Sequence, residues 1–154
     1  MPALRFSTLR LVGVGALLRG TFMSEGPEST ARPYWLRFEQ RPGYWVAYLS
    51  APRDTEAASL AYWREIAAEC RRRDCHRVLV IEDIPGSLSS VETYRTIQSL
   101  SQPEMKDFTV AFVDLRTEHT GENLFGELMA VNRGLRVRVF DSVVAAEQWL
   151  DSFR

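Results

Sequence analysis

The chain has 154 residues, 45% of them hydrophobic and 25% charged, with a formal net charge of −1. That length suits one domain with a real core, and the average composition excludes wholesale disorder. Near-neutral charge argues against a nucleic-acid binder, two cysteines exclude a disulfide scaffold, and no apolar run reaches the roughly 20 residues of a membrane-spanning helix. The expectation is a soluble, cytoplasmic protein with one folded domain.

Residues 1–30 stand apart. Arg5, Arg10 and Arg19 make the start basic with no acid before Glu25, leaving the remainder at about −4. The stretch from Leu11 to Leu18 is similar to a short signal-peptide apolar region, but Arg19 follows directly and no small-x-small cleavage site comes after it. The segment reads as a flexible leader or as a start placed too far upstream, with Met23 as the alternative first residue. A weak targeting or membrane-surface segment and a docked helix are the other readings. The domain occupies 31–154.

Tyr34 to Glu39 alternates with period two, as a half-buried strand does. Pro42-Gly43 then supplies the central pair of a type II turn, and Tyr44 to Leu49 completes an antiparallel hairpin. Asp54 or Thr55 can cap a helix running to Arg73, with Leu60, Trp63, Ala67 and Cys70 expected on its inner face. Arg77 to Asp83 contains the continuous run Val78-Leu79-Val80-Ile81 of a strand covered on both faces. Ser89-Ser90-Val91-Glu92 is a capping box that opens a helix to Leu100. After Pro103 comes a buried strand, Phe108 to Asp114. Thr117 or Thr120 starts a third helix, expected to turn Leu124, Phe125, Leu128 and Met129 inward and to end at Gly134. Leu135 to Phe140 alternates as a strand with one exposed face. Asp141 or Ser142 caps a last helix with Ala146, Trp149, Leu150 and Phe153 in its stripe. The order β-β-α-β-α-β-α-β-α, with right-handed crossovers, predicts an α/β domain with a five-stranded mixed sheet and an antiparallel N-terminal hairpin.

Enzyme signatures are scarce. The chain carries no dinucleotide fingerprint, Walker A loop, nucleophile elbow or His-Glu-x-x-His, so no catalytic residue and no cofactor is implied. His76 and His119 read as solvated surface residues without partners. Cys70, Cys75 and His76 lack a fourth ligand, and Cys70 lies on an apolar stripe, so no metal site is assigned. Arg71-Arg72-Arg73 with Arg77 forms a basic patch at a helix C-terminus, where the helix dipole favours cations. Ligands of open α/β sheets collect beyond the carboxyl ends of the strands. Glu82, Asp83 and Asp114 sit at those ends, and Ser87, Ser89 and Ser90 lie in the adjoining loop, so these six define the partner or ligand rim. Trp35, Trp45, Tyr34, Tyr44 and Tyr48 crowd the hairpin, where alternation predicts some exposed aromatics.

The run Val110-Ala111-Phe112-Val113-Asp114, then Phe125-Gly126-Glu127, Ala130 to Gly134, Val137 to Asp141 and Ala145-Ala146-Glu147-Gln148-Trp149-Leu150, carries a resemblance. From Tyr34 to Leu150 the chain resembles the STAS domain (sulphate transporter and anti-sigma-factor antagonist), and more closely the small stand-alone bacterial SpoIIAA-like proteins. The resemblance implies a non-enzymatic regulatory module that works through a protein partner. In anti-sigma-factor antagonists of this fold, phosphorylation of a serine at the start of the second helix switches partners. That implies Ser87, Ser89 or Ser90 here, although Ile84 to Ser90 lacks the family's Asp-Ser pair and following glycine. Relatives likened to CRAL-TRIO lipid-binding folds imply, alternatively, a carrier or sensor of a small apolar ligand between helices and sheet. An enzyme using Glu82, Asp83 or Asp114 is the remaining reading, without a visible nucleophile–base pair. The open edge of the hairpin suggests a homodimer.

Overall fold

The computed structural model of the chain describes residues 32–154. The readings on residues 1–30, Met23 and the apolar stretch included, lie outside the described residues.

Strands β1 (Trp35–Arg41) and β2 (Tyr44–Ser50) form the antiparallel hairpin, and Gly43 at φ +86° completes its turn. Helix α1 (Glu56–Arg72), strand β3 (Arg77–Asp83), helix α2 (Ser90–Leu100), strand β4 (Thr109–Asp114), helix α3 (Thr120–Val131), strand β5 (Arg136–Phe140) and helix α4 (Val143–Asp151) follow. The sheet is a five-stranded mixed sheet in the order β1-β2-β3-β4-β5, parallel from β2 onward. Sequential order with crossovers of one hand places α1, α2 and α3 on the same face. Helix α4, which follows the last strand, packs on the opposite face against β3 and β4. No described helix is long and apolar enough to cross a membrane.

The caps form as their side chains allow. Thr55 accepts from the Ala58 amide at 3.1 Å, Ser142 accepts from the Ala145 amide at 3.2 Å, and Ser89 and Glu92 exchange both bonds of the capping box. Gly134, at φ +81°, takes the left-handed position after α3.

Because side chains alternate along a strand, the sheet has two separate cores. Val46, Leu79, Ala111 and Val113 meet Ala146 and Leu150 of α4. Ala47, Val78, Val80 and Phe112 meet Ala58, Tyr62, Ile66 and Ala67 of α1. Both faces of β2 are therefore covered, while β1 is covered only on the face that carries Leu36 and Phe38, so the expected aromatic strip reduces to one residue. Tyr34 and Tyr44 are buried, Trp45 and Tyr48 pack against the two cores, and Trp35 alone of the five is exposed. Among the described residues β1 is an edge strand, and its Arg37, Glu39 and Arg41 pair with one another.

Three helix faces differ from expectation; at the last, Phe153 lies beyond the end of α4 and is exposed, with its ring edge-on to Trp149. In α1 the buried face is rotated toward Ser59, Tyr62 and Ile66, and Leu60 lies at its margin. In α3, Leu124 and Leu128 are exposed, while Asn123, Gly126, Glu127 and Ala130 turn to the space between the helices and the sheet. The basic patch is also dispersed, because consecutive helical residues point in different directions. Arg72 and Arg73 bond Glu69 at 2.6 and 2.5 Å, Arg71 lies over the Phe108 ring, and Arg77 donates to the Leu150 carbonyl at 3.0 Å.

Leu79 is fully buried at the centre of the sheet beneath α4. Leu79→Ala is expected to lower stability by about 2–5 kcal/mol. In urea unfolding the midpoint should drop with an unchanged slope; a loss below about 1 kcal/mol would show that α4 is not tightly packed.

Candidate functional site

The layer of α1, α2 and α3 does not close onto the sheet. Between them lies a cavity of about 170 Å³, walled by Trp63, Ile97, Leu100, Phe108, Val110 and Phe112 among others. Helix α3 contributes Asn123, Gly126, Glu127 and Ala130, spaced 3, 1 and 3 residues apart as on one helical face. These short or hydrogen-bonded side chains leave open the space that leucines would fill. Glu127, the longest, is held by the Val139 amide, which donates to its Oε2 at 2.6 Å.

The polar end of the cavity lies at the carboxyl ends of β3 and β4. Glu82 and Asp114 are register partners on the two strands. Both share the parity of the residues that face α1–α3, Val78 and Val80 on one strand and Phe112 on the other. Asp54, from the loop between β2 and α1, joins them, and its backbone amide donates to the Pro85 carbonyl at 3.3 Å. Tyr62 of α1 closes the group, with its hydroxyl 3.5 Å from Glu82 Oε2 and accepting from Ser59 Oγ at 2.9 Å.

Asp114 is fully engaged. Its Oδ1 accepts from the Arg116 amide at 2.8 Å, and its Oδ2 from Asn123 Nδ2 at 2.8 Å and His119 Nδ1 at 2.9 Å. The carboxylate thereby assigns the Nδ1 proton of His119. Among the described residues His119 bonds no hydroxyl or thiol.

Glu82 is in a different state. It is 6% exposed and has no cationic partner among the described residues, and its one side-chain contact there, from Tyr62, is long. Burial, reinforced by the charges of Asp54 and Asp114, pushes its carboxyl up to about 8. It therefore keeps its proton at neutral pH. Asp54 is pushed up to about 6, chiefly by burial, and its Oδ1 accepts no hydrogen bond. Burial and the Glu82 charge also hold the Tyr62 phenol well above its ordinary range. The polar end thus offers a neutral acid, a half-buried carboxylate and an imidazole pinned to a second carboxylate.

Of the six residues expected to form the rim, Glu82, Asp114 and Ser87 line the cavity. Asp83 points to the other side of the strand and pairs with Arg116 at 3.0 Å, and that pair is substantially exposed. Ser89 is occupied as the cap, its Oγ 2.8 Å from Glu92 Oε2, and Ser90 is the exposed first residue of α2. Ser87 is exposed beside Gly86, whose φ of +77° turns the loop.

His119 corrects its reading as a solvated residue: a 3₁₀ turn, Thr117–His119, folds it back onto Asp114, and it is 7% exposed. A strand-end aspartate followed five residues later by histidine was the available signal. Asp54, Tyr62 and Asn123 carried none, because only the tertiary fold brings them together. His76 lies 3.7 Å from Asp74 and is highly exposed, whereas Cys70 and Cys75 are buried free thiols.

Compared with protein-family models and with curated proteins, the chain matches none.

The unfolded chain releases the Glu82 proton near pH 4.5, while the folded chain keeps it until about pH 8. Below 4.5 the residue is protonated in both states. Stability therefore falls as pH rises through this window and levels off above it. Glu82→Gln carries no such penalty, so relative to the parent it should gain up to about 1 kcal/mol per pH unit across the window. Urea midpoints measured from pH 5 to 9 check this, and a pH-independent difference would contradict the buried neutral acid.

Proposed function

We propose that the protein is a cytoplasmic, non-enzymatic, STAS-like binding module of SpoIIAA-like type that carries or senses a small, mainly apolar molecule between α1–α3 and the sheet. The cavity carries this reading. An engineered apolar cavity of about 150 Å³ is enough to bind benzene, and the one here is of about 170 Å³. Its largely apolar walls with a few convergent polar groups are the usual composition of a ligand site. The strand order and the mixed sheet suit the STAS-like assignment, and a ligand layer between helices and sheet suits the likeness to CRAL-TRIO folds.

A protein partner is the second reading, favoured by a specific feature. Leu124, Leu128 and Val131 form an exposed apolar row along the outer face of α3, and Leu115 is exposed as well. Since α3 is also the cavity wall, a partner on this face would sense whether the cavity is filled. Regulation by phosphate falls best on Ser87, which is exposed at the cavity, because Ser89 is committed to its cap. Homodimerisation would use the open β1 edge, where the charged row Arg37, Glu39 and Arg41 works against it.

Mass spectrometry of protein purified from its own organism, native and then denatured, tests the reading. The expected result is a small molecule that is released on denaturation. Ala130→Leu, which adds bulk to a buried cavity wall, should lower its occupancy at least tenfold without lowering the melting temperature. A bare polypeptide in both variants would overturn the carrier reading and leave the partner reading.

A further inference from the structure

Among the described residues, a carboxylate oxygen of Asp54 and the Thr96 hydroxyl on the cavity lack partners, and we propose that the cavity selects a small primary alkyl or arylalkyl amine whose ammonium group sits between Glu82 and Asp54. This rests on the cavity being a ligand site.

The first argument is a count of what is already bonded. Asp114 has three donors and needs no more. Glu82 has only the long contact from Tyr62. Asp54 Oδ1 is buried and accepts nothing, and neither does Thr96 Oγ1, a hydroxyl of α2 on the same cavity whose residue is 4% exposed. Buried polar atoms without partners are costly and rare in native proteins. An ammonium group, with three donors and no acceptor, complements the weakly engaged Glu82 carboxyl and the open Oδ1 of Asp54.

The second argument is charge. The titratable groups that face the cavity are Asp54 from the β2–α1 loop, Tyr62 of α1, Glu82 of β3 and Asp114 of β4. His119, with Glu122 and Glu127 of α3, and Arg136 of β5 complete the set. Arg136 is register partner to Thr109, at the start of β4 and far from Asp114 at its end. The end that holds Glu82 therefore has acids from three segments against one imidazole, which repels a carboxylate head. The third argument is size. About 170 Å³ between Trp63, Phe108 and Phe112 suits a chain of roughly six carbons or a single aromatic ring, not a long lipid.

Binding is coupled to a proton. The neutral Glu82 carboxylic acid and R–NH₃⁺ give a carboxylate–ammonium pair and one released H⁺, so charge and atoms balance. Affinity then rises with pH until Glu82 ionises by itself near pH 8.

Isothermal titration calorimetry of the full chain with hexylamine, hexan-1-ol and hexanoate tests this at pH 6.5 and 8, in buffers of different ionisation heat. Hexylamine should bind tightest, gain roughly tenfold between the two pH values, and release close to one proton at the lower pH; hexanoate should bind at least a hundredfold more weakly. Glu82→Gln should remove the pH dependence and invert the preference between amine and alcohol. Asp54→Asn, a second variant, should weaken hexylamine more than hexan-1-ol. Hexan-1-ol or hexanoate binding as tightly as hexylamine would overturn the amine assignment and leave the cavity reading intact. If none of the three binds, the cavity reading falls, and the amine assignment with it.

Discussion

Between a parallel sheet and the helices that cover it, every second side chain of a strand must enter the helical layer, and in β3 the last residue to do so is a carboxylic acid. Glu82 follows Val78 and Val80 into the space beneath α1–α3 and meets no cation there. Register places Asp114 beside it on β4. Two carboxylates at neighbouring positions in an apolar layer cannot both stay ionised without compensation. Asp114 gains it from an amide, an imidazole and a carboxamide, and Glu82 keeps its proton instead. The turn carrying His119 and the positions of Asn123 and Tyr62 all bear on this unequal pair.

The elements themselves were legible because each rests on local rules. The capping box, the other N-caps and the turns are short-range chemistry, and the run Arg77–Asp83 is legible as a strand because one covered on both sides needs no alternation. Sequential crossovers then left one arrangement for α1–α3. The site was legible only in part. Strand ends pointed to Glu82 and Asp114, but helical parts of the site violated the rule used to orient them. Tyr62 is a polar-tipped residue whose ring packs in the core while Ser59 meets its buried hydroxyl. Helix α3 was oriented by its leucines, whereas its inner face is Asn123, Gly126, Glu127 and Ala130. An apolar face turns inward when there is a packed core to receive it. Here there is a cavity, and the helix must span it with small side chains.

The two faces of the sheet therefore do different work. Against α4, Leu79, Ala111, Val113, Ala146 and Leu150 are all nearly inaccessible, which is the density of an ordinary interior. Against α2 and α3, residues such as Ile97, Val110 and Val137 are only half-buried because the cavity exposes them. Apolar surface left open inside a domain forfeits stabilisation of about 25 cal/mol per Å². The α4 core offsets this by holding the central strands from below, so the upper layer can remain open.

Glycine at 126 is part of that compromise. A Cβ there would lie 3.7 Å from Thr93 Cγ2 and 3.9 Å from Ile97 Cδ1, ordinary contacts that a longer side chain would turn into collisions. The position thus keeps α2 and α3 close while adding no bulk to the cavity between them. Closing the cavity by sequence would be simple, since a larger residue at Ala130 or a rotated α3 would bring leucines inward. Instead Leu124 and Leu128 stay in water at 51% and 56% exposure. Apolar side chains on the outside and small or polar ones within are a double loss for folding alone. Both losses have a physical rationale if the inner face receives a ligand and the outer face reports on it.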